Sequence, residues 1–415
     1  MSKHDFRLRP QGVIFMRDAR PMEASDAGLG ANWPRPDQLY AALHHAFLTQ
    51  WPDLQPWESA DGKTHTFRDK RQDEFRRQSK DKNHDSSLRF GALKTVGPFP
   101  RKDDGRLFLP CPLDLDMELI PCTGTDLPKP LTHAFLPRSK GKVSLPAWLP
   151  ADAYRQYLER GTVPDEALDK PEHLYDAERN IGVAIDPATG TAADSKLYQA
   201  EYLRLAQDVT MAFTAQCDLS QRGNRTQVTD VLARPDAPRQ VIIGGQQGIA
   251  DLEDGASLDF PSADIRTRFL RWTLISPVCY RQGWLPSWLD ADGHVMLKDI
   301  TRNPGESRLD WKRRQAEAKP VGGRLIAVRI GKPLPVSSWN VMSSPSAPSA
   351  GGRIHAGPKP TMLLVPAGSA YVFECASVEQ ARTLARLLNA PNPRSDAFGE
   401  KGLGLGLCSS VEITA

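Results

Sequence analysis

No Cys-x-x-Cys pair occurs in this 415-residue chain; its six cysteines, Cys111, Cys122, Cys217, Cys279, Cys375 and Cys408, are scattered. That spacing argues against a zinc ribbon and fits buried thiols in a reducing cytosol. No apolar run approaches the length that spans a bilayer, and the opening segment from Met1 to Arg7 has no signal-peptide core. The expectation is a soluble, cytoplasmic protein without membrane contact. The sequence also lacks a Gly-x-x-x-x-Gly-Lys-Ser/Thr phosphate loop, a His-Glu-x-x-His helix and a Gly-x-Ser-x-Gly elbow. His84-Asp85 lies in a charged stretch without the flanking His and Asp that a metal phosphohydrolase needs. No catalytic residue, metal ligand or cofactor is expected. Net charge is scarce too: 53 Lys and Arg against 50 Asp and Glu leave +3. Any contact with nucleic acid must then come from local patches and not from a global field.

What is present fits an α+β protein large enough for two domains: 40% hydrophobic residues, 25% charged, and 35 prolines concentrated between the periodic segments. Alternation predicts a first strand over Phe6–Met16, and Leu39, Leu43, Ala46 and Phe47 predict a helix over Gln38–Leu48. A β–α opening of this kind begins a ferredoxin-like unit. Residues 57–85 are a charged, basic-leaning insertion, read as a solvated surface. Residues 127–173 are proline-rich and expected to be mostly irregular, with a helix over Ala151–Leu158. Val241–Ile243 reads as a short buried strand. The acidic segment Asp251–Asp259 reads as turns at a domain boundary. Beyond it, strands are predicted at Arg271–Ser276, Leu325–Ile330, Ser369–Ala376 and Cys408–Thr414. A helix is predicted over Val378–Leu388, capped by Ser377, and Ser343–Lys359 reads as a flexible loop.

The segment from Tyr175 to Leu205 stands out. Ile181, Val183 and Ile185 alternate with Gly182 and Ala184, Asp186–Gly190 turns the chain, and Leu197–Leu205 returns it. This is a long β-arm carrying Glu178, Arg179 and Asn180, which is either an ordinary exposed hairpin or a grip on an extended polymer. Other candidates carry paired readings. Arg17 and Arg20 flank a turn and suit phosphate, or they pair with Asp18 or a carbonyl. Tyr198 and Tyr202 suit base stacking, whereas Phe213 reads as core. His44 and His45 point about 100° apart on one helix, so only one could act as a base, and packing is the simpler role. The glycines of Gly244–Gly248, and Gly399, Gly402, Gly404 and Gly406, let a backbone approach phosphate closely or merely turn the chain.

In order along the chain stand Leu8-Arg9-Pro10, Arg17-Asp18-Ala19-Arg20-Pro21, Gly97-Pro98-Phe99-Pro100 and the arm, with Glu178-Arg179, Ile181-Gly182, Ile185-Asp186, Thr189-Gly190, Leu197-Tyr198 and Leu203-Arg204-Leu205. They are followed by Ile243-Gly244-Gly245, Pro358-Lys359-Pro360 and Phe398-Gly399-Glu400-Lys401-Gly402-Leu403-Gly404. This series resembles the RAMP-superfamily proteins of CRISPR effector complexes, and among them the third subunit of the type III-B, or Cmr, complex. The resemblance implies two ferredoxin-like (RRM-like) units with long insertions and a β-arm, divided as 1–255 and 256–415. It implies a non-catalytic subunit that holds the 5′ handle of the CRISPR RNA and bridges the large polymerase-like subunit to the backbone RAMP subunit. The alternative is a metal-independent RAMP endoribonuclease that processes precursor CRISPR RNA. The RNA-binding residues so implied are Arg17, Arg20, Arg179, Asn180, Tyr198, Arg204, Gly244, Gly245, Lys359, Gly399, Lys401, Gly402, Gly404 and Gly406. Two departures from the family pattern stand out: Ser338-Trp339-Asn340 lacks its acidic residue, and Gly244-Gly245-Gln246-Gln247 lacks its charges.

Overall fold

Phe6 and Leu8 alternate with outward polar neighbours, and this period of two builds the first central strand, β1 (His4–Pro10). The structure, a computed structural model, describes residues 2–16, 27–28, 32–51, 58–59, 90, 92–122, 127–138, 144–186, 188–221, 224–245, 247–303, 305–337, 339–340, 357–358 and 361–413. In chain order β1 is followed by α1 (Pro36–Gln50), β2 (Lys94–Lys102), α2 (Ala151–Arg160), β3 (Tyr175–Ile185), β4 (Ala192–Leu205), β5 (Val209–Gln216) and β6 (Ile249–Asp254). Then come β7 (Phe269–Leu274), α3 (Arg308–Glu317), β8 (Arg324–Arg329), β9 (Ala370–Glu374), α4 (Val378–Leu388) and β10 (Gly406–Ser410).

The chain is mixed α and β, with mostly antiparallel sheets. One sheet runs β6-β1-β5-β2, with Gln240–Ile242 added at the β6 edge; the other runs β10-β7-β9-β8. Every neighbouring pair in both sheets is antiparallel. In each, the third main strand of the half lies between the first and second, and the fourth lies outside the first. The helices differ. In the first half α1 crosses between the first two strands and packs Leu39, Leu43 and Phe47 under the sheet. In the second, α4 crosses between the last two and packs Ala381, Leu384 and Leu388 against Trp272, Tyr371 and Phe373. Ser377 caps α4, its Oγ accepting from the Gln380 N–H at 3.2 Å, as the sequence predicts.

Several boundaries depart from the sequence expectation. β1 stops at Pro10, and the chain pairs again only through bridges at Ile14 and Phe15. Residues 251–254, expected as turns, belong to β6: Ala250 and Leu252 point inward while Asp251 and Glu253 point outward. Their charge hid the alternation. Val241–Ile243 is confirmed as strand near Gln240–Ile242, but Ile242 is exposed at the sheet edge. The 127–173 stretch holds strands His133–Pro137 and Trp148–Pro150 besides α2. β10 begins inside the glycine-rich segment and ends by Ser410. The loop expected at Ser343–Lys359 and the insertion at 57–85 fall almost wholly outside the described residues.

The halves share a third core. Phe99, Leu109, Leu149, Tyr154, Tyr157 and Ala212 from the first meet Ile275, Leu405 and Leu407 from the second. At its centre the buried Arg271 guanidinium pairs with Asp114 at 3.1 Å. It also donates to Ser409 Oγ at 3.0 Å and the Tyr157 carbonyl at 3.1 Å, and lies 4.1 Å from the centre of the Tyr157 ring. The Tyr157 hydroxyl donates to Asp114 at 2.6 Å and lies 2.8 Å from Thr273 Oγ1. Burial opposes the charge on Arg271; Tyr157 and Asp114 more than offset it. Removing one member strands the other charge in the core. Arg271→Ala should therefore destabilise the chain by about 3–5 kcal/mol, read as a lowered urea midpoint, whereas the double change Asp114→Leu with Arg271→Met should be far milder. Equal losses in both would show that packing and not charge satisfaction dominates there.

Candidate nucleic-acid interface

The arm is the ladder of β3 and β4, with Arg179 opposite Glu201, Ile181 opposite Gln199 and Val183 opposite Leu197. At about 3.4 Å per residue, the 11 residues of β3 reach roughly 35 Å. The root is pinned. Leu203, fully buried, exchanges backbone hydrogen bonds with Ile14 at 2.8 and 2.9 Å. Phe15 packs on Tyr202 at 5.4 Å between ring centres, and Ala27–Gly28 adds a parallel strand along Gln199–Ala200. The tip turns as the sequence predicts: the Gly190 N–H donates to the Asp186 carbonyl at 2.8 Å, and Gly190 takes φ +69°. Toward that tip one face carries Ile181, Val183 and Ile185, which are 71%, 43% and 67% exposed. Three aliphatic side chains in water on a strand that needs none of them for the core form an unsatisfied apolar stripe.

The arm's charges neutralise one another. Arg179 Nε donates to Glu201 at 2.6 Å on the aliphatic face, and Arg204 Nε donates to Glu178 at 2.6 Å on the opposite face. The Glu178 contact raises the Arg204 pKa. Asn180 is exposed beside them. Tyr198 stands in β4 opposite Gly182. Around the root the cations are likewise matched: Lys102 meets Glu172 at 2.7 Å and Asp208 at 3.4 Å, and Arg106 meets Glu172 and Asp104. The hydrogen bonds from Lys102 and then Arg106 hold the Glu172 carboxyl below its usual range. Arg17, Arg20 and Lys359 lie outside the described residues.

The glycine clusters owe their composition to close packing. Gly245 gives its N–H to the Phe15 carbonyl at 2.8 Å, and a Cβ there would sit 2.7 Å from the Phe15 ring. Gly244 has φ +79° and would place its Cβ 2.6 Å from that same carbonyl. The C-terminal cluster, expected beside RNA, is largely buried. Gly402 (φ +85°) would place a Cβ 2.8 Å from the Thr95 carbonyl, and Gly404 (φ +82°) one 2.5 Å from the Ser395 nitrogen. The Gly402 N–H donates to the Gly399 carbonyl and the Gly404 N–H to the Pro277 carbonyl. Gly406 is in β10, its Cα packed against Trp272. Gly399 opens the short 3-10 turn that holds Lys401. The amides of Gly245, Gly402 and Gly404 are thus engaged within the chain.

Lys401 lies over the rings of Phe398 and Tyr40, at 4.4 and 5.1 Å. Burial, then the Glu400 charge, raises the Tyr40 pKa far above its usual value. His44 stacks on Tyr40 at 5.9 Å and meets Phe90 edge-on at 6.5 Å, so it is packed among aromatic rings. Phe213 is core, as expected, and Tyr202, a stacking candidate, is buried at the arm root. No group of three or more His, Cys, Asp or Glu that could hold a metal occurs among the described residues.

The family model for "CRISPR-associated protein (Cas_Cmr3)" matches residues 6–411. No curated protein matches the chain. Among solved structures, a chain of the cryo-EM structure of the Type III-B Cmr-beta bound to cognate target RNA is 13% identical, at a TM-score of 0.43, with 89% of this chain and 86% of that one covered. A chain of the crystal structure of the Csm1-Csm4 cassette in complex with AMPPNP is 14% identical, at 0.29, with 73% and 84% covered. The packing of the C-terminal glycines makes its own prediction. Gly402→Val with Gly404→Val should unfold the chain or lower its urea midpoint sharply, since each forced left-handed residue alone costs about 1–3 kcal/mol. An unchanged midpoint would return those glycines to the role of a simple exposed loop.

Proposed function

The chain belongs to the Cas_Cmr3 family of CRISPR-associated proteins, and we propose that it is a non-catalytic, RNA-holding subunit of a type III-B effector ribonucleoprotein. In this reading it sits in the cytoplasm, holds the 5′ repeat-derived handle of the CRISPR RNA, and bridges the large polymerase-like subunit to the backbone RAMP subunit in antiviral defence. The observation that carries the reading is the arm: a root fixed by backbone pairing and a tip whose exposed aliphatic row has no partner among the described residues. Aliphatic side chains at the end of a stiff ladder suit insertion against a base, where an unstacked nucleotide leaves an apolar face. Arg179, Asn180, Tyr198 and Arg204 would flank that wedge, with the two arginines exchanging Glu201 and Glu178 for phosphate. The identical strand order of the two sheets supports two ferredoxin-like units, divided near residue 255. RNA held this way is read through splayed bases and the 2′-hydroxyl.

Two outcomes follow. Changing Ile181, Val183 and Ile185 together to Thr should leave the unfolding midpoint unchanged, because exposed positions contribute little. It should weaken handle binding by roughly tenfold, the loss of a modest apolar contact area, in filter binding at one fixed salt concentration. Unaltered binding would make the arm an incidental hairpin. Repeat-containing RNA incubated with the isolated chain should remain intact with or without divalent metal; specific cleavage abolished by His44→Ala, with the fold intact, would replace this reading with that of an endoribonuclease.

A further inference from the structure

α3 is a helix without a buried residue. Helices that are polar all round persist only when something other than a core holds them, and α3 is held by designed polar contacts. Ser307 caps its N-terminus, accepting from the Asp310 N–H at 3.1 Å. Arg314 donates to both oxygens of Glu306, each at 2.9 Å, and to the Thr301 carbonyl at 2.6 Å. These hydrogen bonds and the Arg314 charge hold the Glu306 pKa down at about 2. Lys298 Nζ closes the other end on the carbonyls of Gln315 and Ala316 at 2.6 and 3.3 Å. The helix is thus fixed in place while its outer surface stays in water.

That outer surface carries Arg308, Lys312 and Arg313, all exposed, with no ion pair or hydrogen bond to any described residue. Arg308 and Lys312 are one turn apart on a single side, about 6 Å along the axis, and Arg313 projects about 100° further round. On the arm and at its root, by comparison, Lys102, Arg106, Arg179 and Arg204 are matched by carboxylates. Nearby acids are engaged as well: Glu306 by Arg314, Asp299 by Arg386 at 2.9 Å, and Asp310 by the Ser307 hydroxyl at 2.6 Å. Four cations against two acids along a fixed helix leave it positive and complementary to a polyanion. Leu309, 68% exposed, is the one large aliphatic on it. A protein-binding face would be depleted of charge at its centre, whereas Lys312 and Arg313 flank Leu309 here, so phosphate fits better than a protein surface.

We propose that the Arg308–Lys312–Arg313 face of α3 is a second RNA contact, a phosphate-backbone site separate from the arm. It rests on the RNA-holding reading and extends it: the arm would fix the register of the RNA, and α3 would supply sequence-independent attraction. The test uses the full chain and a long single-stranded oligouridylate, with affinity measured across a range of salt. Arg308→Gln, Lys312→Gln and Arg313→Gln together should flatten the slope of log affinity against log salt by about 2, at some 0.7 per lost phosphate contact. The unfolding midpoint should not move, and Arg308→Lys with Arg313→Lys should keep the wild-type slope. The Thr-substituted arm should lower affinity while leaving the slope in place. An unchanged slope in the glutamine variant, with arm-dependent binding intact, would overturn the α3 site alone. Wild-type protein that binds no RNA even at low salt would overturn the RNA-holding reading and this site with it. Normal RNA binding by the glutamine variant together with lost association with partner subunits would overturn the site in favour of protein docking.

Discussion

Arg271 is the constraint around which the rest of the molecule is arranged. Its guanidinium leaves β7, reaches Ser409 on the neighbouring β10, and meets Asp114 and Tyr157 from the first half of the chain. A charge buried so deeply survives only when every donor is used and an opposite charge is fixed beside it. Those demands lock α2 and the Asp114 segment to the second sheet. The shared apolar cluster around Tyr154, Leu405 and Leu407 closes over the same place. Two sheets with the same strand order, each covered by one crossing helix, are thereby joined through a polar knot inside an apolar seam. The arm, rooted beside β1 and leading directly into β5, inherits its direction from that rigid assembly.

The distribution of charge follows a second rule. With a net charge of only +3, the chain has no long-range field to gather a polyanion. Close to the arm it pairs nearly every described cation with a carboxylate, which limits non-specific attraction and leaves the exposed aliphatic row as the distinctive chemistry of the tip. α3, a helix the core does not need, carries three exposed cations without a carboxylate partner among the described residues. In the proposed reading the arm would make the shape-dependent contact and α3 the charge-dependent one.

Periodicity carried much of this fold in the sequence. The α4 boundaries and its Ser377 cap, the arm with its turn at Asp186–Gly190, and the core positions of α1 all follow from spacing that burial alone explains. Composition misled where it competed with periodicity: the acids of β6 suggested turns, yet Ala250 and Leu252 alternate between them. The glycines at 402 and 404 were recognisable as special, but their reason was not. A positive φ against Thr95 or Ser395 looks the same in sequence as a positive φ against phosphate. Arg271 offered no signal, since its partner lies 157 positions away. α3 was missed because it has no apolar face; Ser307 followed three residues later by Asp310 was the available clue. Of the candidate site, the arm was readable, whereas the pairing of Arg179 with Glu201 and of Arg204 with Glu178 needed the register.

The central claim is that the tip of the arm meets guide RNA. Photo-crosslinking groups placed singly at Ile181 and Ile185, in a complex reconstituted with partner subunits and CRISPR RNA, test it most directly. The account predicts crosslinks from both positions to nucleotides at the junction of the 5′ handle and the guide. Crosslinks that reach only protein, or RNA crosslinks absent from the arm while present elsewhere on this chain, would contradict it.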